Sequence, residues 1–246
     1  MKQKFLRKTI DRFSFLFKGK ISFKGGKKRE KFDTISQLLD DHFSLNTVYD
    51  HPCKNTLQMA LEKLNNKEAT IVETGSSAWG SNSSLLFDSY VNSFGGKFCS
   101  VDIRIEPCIT LKSLCSSNST FFCDDSVSFL KKMLTKNPSL KIDLVYLDSY
   151  DVNWDDSLAA ALYGFQEFMV LLPSLIENKG SLLLVDDTPA DSLIMEKVQP
   201  NGLLGFNEFK RNYGFEPGKG ALIKYYLLNN SIGKQIKHDY QLLWEF

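Results

Sequence analysis

The residues of this chain best suited to chemistry are acids that close apolar runs. Glu73 ends Ala69-Thr-Ile-Val-Glu73 and leads directly into a small-residue turn and a helix, Thr74-Gly-Ser-Ser-Ala-Trp-Gly-Ser-Asn-Ser-Ser84. Gly75 lets a ligand approach the backbone without meeting a Cβ, Ser76 lies in the same turn, and Gly80, Ser81 and Ser83 allow the helix to start close to the strand. The Glu73 carboxylate is placed to accept hydrogen bonds from a charged or hydroxylated ligand end. Asp102 closes Ser100-Val-Asp102, and Asp124 and Ser126 lie in Phe121-Phe-Cys-Asp-Asp-Ser126. Asp148 closes Leu144-Val-Tyr-Leu-Asp148, with Asp151 three positions on, and Asp186-Asp187 follows Ser181-Leu-Leu-Leu-Val185. Carboxylates such as Asp148, Asp186 and Asp187, if brought to one place, repel one another, and a hard divalent cation with oxygen ligands is the usual way such a cluster is tolerated.

These acids converge only if the intervening elements position them. Strands are expected at 70–73, 97–102, 120–123, 142–148 and 181–186, alternating with helices at 83–92, 106–114, 126–134 and 158–175. Such alternation predicts a parallel sheet with helices on both faces. Right-handed crossovers then place every strand's carboxyl end on one edge. Two helices, 34–43 and 55–64, precede the first of these strands as a cap or lid. Near the end, a helix around 206–213 is followed by apolar runs at 220–228 and 235–246 around an Asn/Gly turn, which reads as an antiparallel hairpin.

Composition narrows the classes. The chain has 246 residues, 43% hydrophobic and 24% charged, enough for one large α/β domain with an N-terminal extension. Its five cysteines lack C-x-x-C spacing and read as reduced thiols of a cytoplasmic protein. His42, His51 and His238 show no metal-ligand spacing and read as structural. The net charge of +1 conceals an asymmetry: residues 1–31 hold 12 Lys and Arg against Asp11 and Glu30, while the remainder is acidic. Phe5, Leu6, Ile10, Phe13, Leu16 and Phe17 recur at helical spacing among basic residues. That pattern fits a basic amphipathic helix resting on the inner membrane surface, docked on an acidic partner, or folded back on the body or a second subunit. Residues 18–31 read as a flexible basic linker. The division expected is therefore 1–31 extension and linker, 32–68 helical cap, and 69–246 catalytic domain. Nucleic acid is disfavoured as a partner, because the body is acidic and the linker carries one aromatic residue, Phe23.

The strand, small-residue turn and helix at 69–85, with Asp102 closing the next strand and Leu144-Val-Tyr-Leu-Asp148 further on, resemble a class I S-adenosylmethionine-dependent methyltransferase over roughly residues 55–246. Neither a G-x-G-x-x-G dinucleotide fingerprint nor a G-x-x-x-x-G-K-[ST] P-loop is present. The resemblance implies a Rossmann-like, doubly wound, mostly parallel seven-stranded sheet with one antiparallel strand added by the terminal hairpin. It also implies that Gly75 and Ser76 approach the methionine part of the donor, Glu73 orients its charged end, and Asp102 accepts the ribose hydroxyls. Asp124 or Asp125, with Ser126, would meet the adenine, helix capping being the other role open to that acidic pair.

Asp148 with Asp186 and Asp187 is similar to the magnesium site of metal-dependent O-methyltransferases of the catechol and sugar-modifying type. There Mg²⁺ holds an acceptor hydroxyl and lowers its pKa. The general base stays open: Asp151 stands where the catechol type has Lys, and Tyr150 and His51 are other candidates. Trp79 either covers the sulfonium or packs on the adjacent helix, and Trp154 is expected beside the acceptor pocket. O-methylation of a hydroxylated small molecule or glycan is the leading expectation. A metal-independent methyltransferase on another acceptor and a non-catalytic donor-binding domain are the alternatives.

Overall fold

A computed structural model of the chain describes residues 21–26, 28–45, 51–76 and 81–246. The basic helix expected within residues 1–20, residues 46–50, and Trp79 and Gly80 lie outside the described residues. In chain order the elements are β1 (Ile21–Lys24), α1 (Ile35–Leu45), α2 (Lys54–Leu64), β2 (Ala69–Thr74), α3 (Ser83–Phe94), β3 (Gly96–Asp102), α4 (Ile105–Leu114), β4 (Ser119–Cys123) and α5 (Ser126–Lys136). There follow β5 (Leu144–Leu147), a 3₁₀ turn at Trp154–Asp156, α6 (Leu158–Glu177), β6 (Leu182–Val185) and α7 (Ser192–Val198). A 3₁₀ turn at Pro200–Gly202, α8 (Leu203–Tyr213), α9 (Ala221–Asn229), β7 (Lys234–His238) and β8 (Leu242–Glu245) complete the chain.

Among the described residues eight strands form one sheet in the order β1-β4-β3-β2-β5-β6-β8-β7. β2 to β6 run parallel, and β1, β7 and β8 are antiparallel to their neighbours. β2 is central, flanked by β3 and β5, so the chain reverses its direction of travel across the sheet at the carboxyl end of β2. In open α/β sheets that switch point is where a ligand-binding crevice opens.

Strand residues point alternately to the two faces, and both faces are covered. Ile71, Tyr146 and Leu184 face the layer containing Leu38, Leu57, Leu61, Phe87 and Tyr90. Their neighbours Val72, Val145, Leu147, Leu183 and Val185 face Phe168, Leu171, Leu175, Ile223 and Leu227. This double burial explains why β5 and β6 are unbroken apolar runs rather than alternating ones. α6 is long and apolar enough by length and composition to cross a membrane. Here it buries Ala160, Ala161, Gly164, Glu167, Phe168, Leu171, Leu172 and Leu175, and Phe168, Leu171 and Leu175 pack against the sheet.

Three expectations are corrected. The sheet has eight strands rather than seven, because Ile21–Lys24 pairs antiparallel with β4 at the far edge. Those residues fall inside the stretch expected to be a flexible linker. Beyond them Gly25 N donates to Ser119 O at 2.9 Å, and a Cβ at Gly25 would lie 2.1 Å from Ser116 O. Arg29 pairs with the buried Asp88 at 3.0 Å, which also accepts from the Ser116 amide and hydroxyl and from the Ser119 hydroxyl. The third correction concerns the end of the chain. Residues 221–229 are helical, and the hairpin is β7 with β8. Short apolar runs are ambiguous between strand and helix. Period two would bury Tyr225 with Ile223 and Leu227, whereas Tyr225 is exposed and both edges of β8 are already taken by β6 and β7.

Candidate active site at the carboxyl edge of the sheet

The turn after β2 is shaped by its neighbours. Gly75 has φ +81°, and a Cβ there would stand 2.0 Å from Asp148 O, so this glycine permits contact with the end of β5 as well as the turn itself. Gly75 N donates to Val101 O at 2.8 Å, and Asp148 N to Thr74 O at 2.8 Å. At the far side of the turn His42, buried and with its pKa lowered by that burial, meets Ser81 O at 2.7 Å.

Glu73 is fully buried. Ser83 and Ser84 at the start of α3, with Ser100 on β3, donate hydroxyls to its two oxygens at 2.5–2.6 Å. Burial pushes its carboxyl up to about 7 against those three hydroxyls. Its carboxylate therefore anchors α3 to the sheet rather than facing an open ligand position.

Asp102 does reach the crevice. Its Oδ2 accepts from Ser76 N at 2.9 Å and its Oδ1 from Arg104 N at 2.7 Å. The Arg104 guanidinium adds Nε to Oδ1 at 3.0 Å and Nη2 to Oδ2 at 2.8 Å. Asp102 is buried, while the Arg104 side chain is 60% exposed. The guanidinium thus spans both Asp102 oxygens in a bidentate pair, one side of which is open to solvent.

The open choice at the next strand end is settled locally. Asp125 is the cap of α5, accepting from Ser128 N at 2.8 Å, and its other oxygen accepts from Tyr163 OH at 2.6 Å. Asp124 is left at the end of β4, where its Oδ1 accepts from Asp125 N at 2.9 Å. Ser126 is buried at the amino end of α5, its hydroxyl 3.1 Å from Tyr163 OH. Tyr163 in turn stacks with the half-exposed Tyr150. Between these elements the Ser126, Thr74 and Ser149 hydroxyls cluster about the buried Glu167 carboxyl. Burial raises the Glu167 carboxyl, with the Ser126, Ser149 and Thr74 hydroxyls moderating the rise.

Asp148, Asp186 and Asp187 also converge, with one ligand atom of each within 4.8 Å of the others. Each, however, is already engaged. Asp186 accepts from Tyr146 OH at 2.7 Å and Gln241 Nε2 at 2.9 Å, and the Cys53 thiol lies 3.6 Å away. Asp187 accepts from Tyr240 OH at 2.6 Å and pairs with Lys219 Nζ at 3.0 Å. Asp148 pairs closely with the same Lys219 Nζ. At the place where a magnesium ion is expected, Asp148 and Asp187 share a cation of the chain's own, the Lys219 ammonium.

The remaining sequence candidates separate. Asp151 is exposed on the loop after β5, outside the buried cluster. Trp154 packs on Gly202 and Gly205, whose added Cβ atoms would lie 2.7 Å and 2.1 Å from it, so it buttresses α8. His51 is half-buried and caps Cys53 N through Nδ1 at 3.3 Å. His238 meets Thr188 O at 2.8 Å, and burial lowers its pKa to about 4.

Sequence reasoning missed Lys219, Arg104 and Glu167. A signal existed for the first, since Pro217-Gly-Lys-Gly220 places a lysine between two glycines. Arg104 and Glu167 are ordinary residues of a loop and a helix, and their roles arise from packing alone.

No family model matches the chain, and neither does any curated protein. Among solved structures, the S-adenosylhomocysteine-bound methyltransferase PaMTH1 of Podospora anserina is 13% identical, covers 97% of this chain and 95% of its own, and superposes with a TM-score of 0.50. The TDP-rhamnose 3′-O-methyltransferase CalS11 is 14% identical over 86% of this chain and 93% of its own, with a TM-score of 0.49. An O-methyltransferase of Bacillus cereus gives 11% identity, 88% and 92% coverage and a TM-score of 0.43. The first of these, covering nearly all of both chains, shows that the fold is the Rossmann-like fold of a methyltransferase.

Proposed function

We propose that the protein transfers a methyl group from S-adenosylmethionine to a hydroxyl of a small molecule or glycan. One observation carries this reading: the Gly75–Ser76 turn, Asp102 and the amino end of α5 at Ser126 stand together at the carboxyl ends of β2, β3 and β4, beside the switch point. Asp102 is suited to the ribose hydroxyls once Arg104 yields, and Ser76 and the Gly75 backbone to the amino-acid end. Ser126, with Asp124 alongside, is suited to the adenine.

When bound, S-adenosylmethionine supplies an electrophilic methyl on a sulfonium, already a good leaving group. The chain's own task is then orientation and exclusion of water. Asp148 borders the donor turn through the contact of its carbonyl with Gly75, so the acceptor hydroxyl belongs beside it. No step here uses magnesium, because the carboxylates expected to hold it are engaged by Lys219 and neutral donors. The excess of basic residues in 1–31 supports a second part of the proposal: a cytoplasmic enzyme held peripherally at the anionic inner membrane surface.

The test is calorimetric titration with S-adenosylhomocysteine. Wild type should bind one equivalent, and Asp102→Ala should bind on the order of 100-fold more weakly, as expected for loss of two hydrogen bonds to a charged acceptor. Absence of binding by folded wild type sinks the reading. Binding without methyl transfer to any hydroxylated acceptor would favour a donor-binding domain without catalysis.

A further inference from the structure

The acidic cluster contains its own cation. Lys219 Nζ touches both Asp148 and Asp187, and its side chain is 3% exposed. Burial by itself would favour the neutral amine, but the surrounding carboxylates, Asp148 foremost, reverse this and raise the lysine's pKa. Burial likewise pushes the Asp148 carboxyl up, and Lys219 is the main force opposing that rise.

The backbone that delivers Lys219 is gripped from two sides. Gly218 has φ +119°, and a Cβ there would stand 2.2 Å from Asp187 O. Lys219 N donates to Asp187 O at 3.1 Å, and Gly220 N to Thr188 Oγ1 at 2.9 Å. From the other side Gly164 of α6 presses on the lysine's carbonyl, where an added Cβ would be 2.6 Å away. The ammonium is therefore carried on a fixed turn locked to the exit of β6.

The other groups around the cluster complete the compensation. Tyr146, Gln241 and Cys53 face Asp186, and Tyr240 faces Asp187. Mg²⁺ demands near-ideal octahedral oxygen geometry and usually retains several waters. A site closed by a buried lysine, two phenols, an amide and a thiol offers no such shell.

We infer that Lys219 is the resident cation of the cluster, standing where a divalent metal would otherwise sit, and that it is the residue which holds Asp148 and Asp187 in place at the acceptor side of the crevice. Where the acceptor is concerned this rests on the methyl-transfer reading; the occupancy by lysine does not. Lys219 is accordingly a positioning residue, acting on a substrate through the two carboxylates.

The full chain, freed of metal with EDTA, would be titrated with Mn²⁺, free ion being followed by electron paramagnetic resonance, in wild type, Lys219→Met and Lys219→Met/Asp148→Asn. Wild type should take up no stoichiometric Mn²⁺, and its melting temperature should be the same in Mg²⁺ and in EDTA. Lys219→Met, with the carboxylates no longer neutralised, should bind one Mn²⁺ at least ~100-fold more tightly than wild type, an affinity difference large enough to be read as a melting shift. The double variant should lose that binding. Tight uptake of one Mn²⁺ by wild type overturns the assignment, even if Lys219→Met does not fold. A folded Lys219→Met that ignores Mn²⁺ overturns it as well. S-adenosylhomocysteine titrated in parallel keeps the two ideas apart: failure of the nucleoside to bind counts against methyl transfer, and uptake of Mn²⁺ by wild type counts against Lys219.

Discussion

At the β3 end of the crevice Asp102 faces backbone amides and an arginine whose side chain is 60% exposed, whereas at the β5 and β6 ends Asp148 and Asp187 pair with a lysine that is 3% exposed. Both are carboxylates at strand ends, and both carry cationic partners. The energetics differ in kind. The Arg104 guanidinium is open to solvent, whereas Lys219 is enclosed, and removing one partner of a fully buried ion pair costs about 3–5 kcal/mol. Acidic residues converging on a sheet edge are therefore insufficient grounds for a metal site, since what decides is whether the protein has already supplied the countercharge.

Substitutions can break or sharpen that contrast. The largest effect is expected where the two sides meet. Gly75→Ala puts a Cβ against Asp148 O at a positive-φ position and should destabilise the fold by about 2–5 kcal/mol, combining backbone strain with overpacking. Chemical denaturation would measure it, and a loss below about 1 kcal/mol would show that the turn and β5 are less tightly joined than the coordinates place them.

Next in size is the pH dependence of the buried Glu73. Its folded carboxyl is raised from 4.5 to about 7, so between those values the folded state holds a proton the unfolded chain has released. The stabilisation is full below 4.5 and is lost as pH rises through about 7. For a fully buried group this amounts to roughly 3 kcal/mol across the window. Glu73→Gln keeps an acceptor and a donor for the serine hydroxyls and removes the titration. The melting temperature of wild type minus that of the variant should therefore fall between pH 5 and pH 7.5, and a flat difference would show that Glu73 is ionised throughout.

The smallest effect separates the two sides most cleanly. Tyr240→Phe removes the hydroxyl donated to Asp187 and should cost about 1–2 kcal/mol of stability. It should leave S-adenosylhomocysteine affinity at the wild-type value, because Asp102 and the Gly75 turn are untouched. A parallel loss of nucleoside binding would mean that the sides are coupled through β5.

Much of this was legible in the residues themselves. The strand and helix alternation from Ala69 to Asp186, the apolar runs of β5 and β6 and the placement of Asp102, Asp148 and Asp186 on one edge follow from periodicity and right-handed connection. Asp125 as the cap of α5 was one of two roles its position allowed. Other assignments failed for identifiable reasons. The helix at 221–229 shares its apolar spacing with a strand, and the saturation of β8 by its two neighbours decided between them. Ile21–Lys24 is too short and too basic in its surroundings to announce itself, and becomes a strand because the edge of β4 was open to it.

The sequence by itself determined the doubly wound plan, the switch point after β2 and the acidic character of its rim, because those depend on local periodicity and on the handedness of the chain. The tertiary structure alone decided what each carboxylate does. Glu73 became an anchor, Asp102 was paired with a solvent-exposed arginine, Asp186 met Tyr146 and Gln241, and Asp148 and Asp187 were matched to Lys219, 32 residues beyond the last of them. The physical reason is that an ionised group's role is set by how far it is desolvated and by which donors reach it, and both are properties of residues distant in the chain.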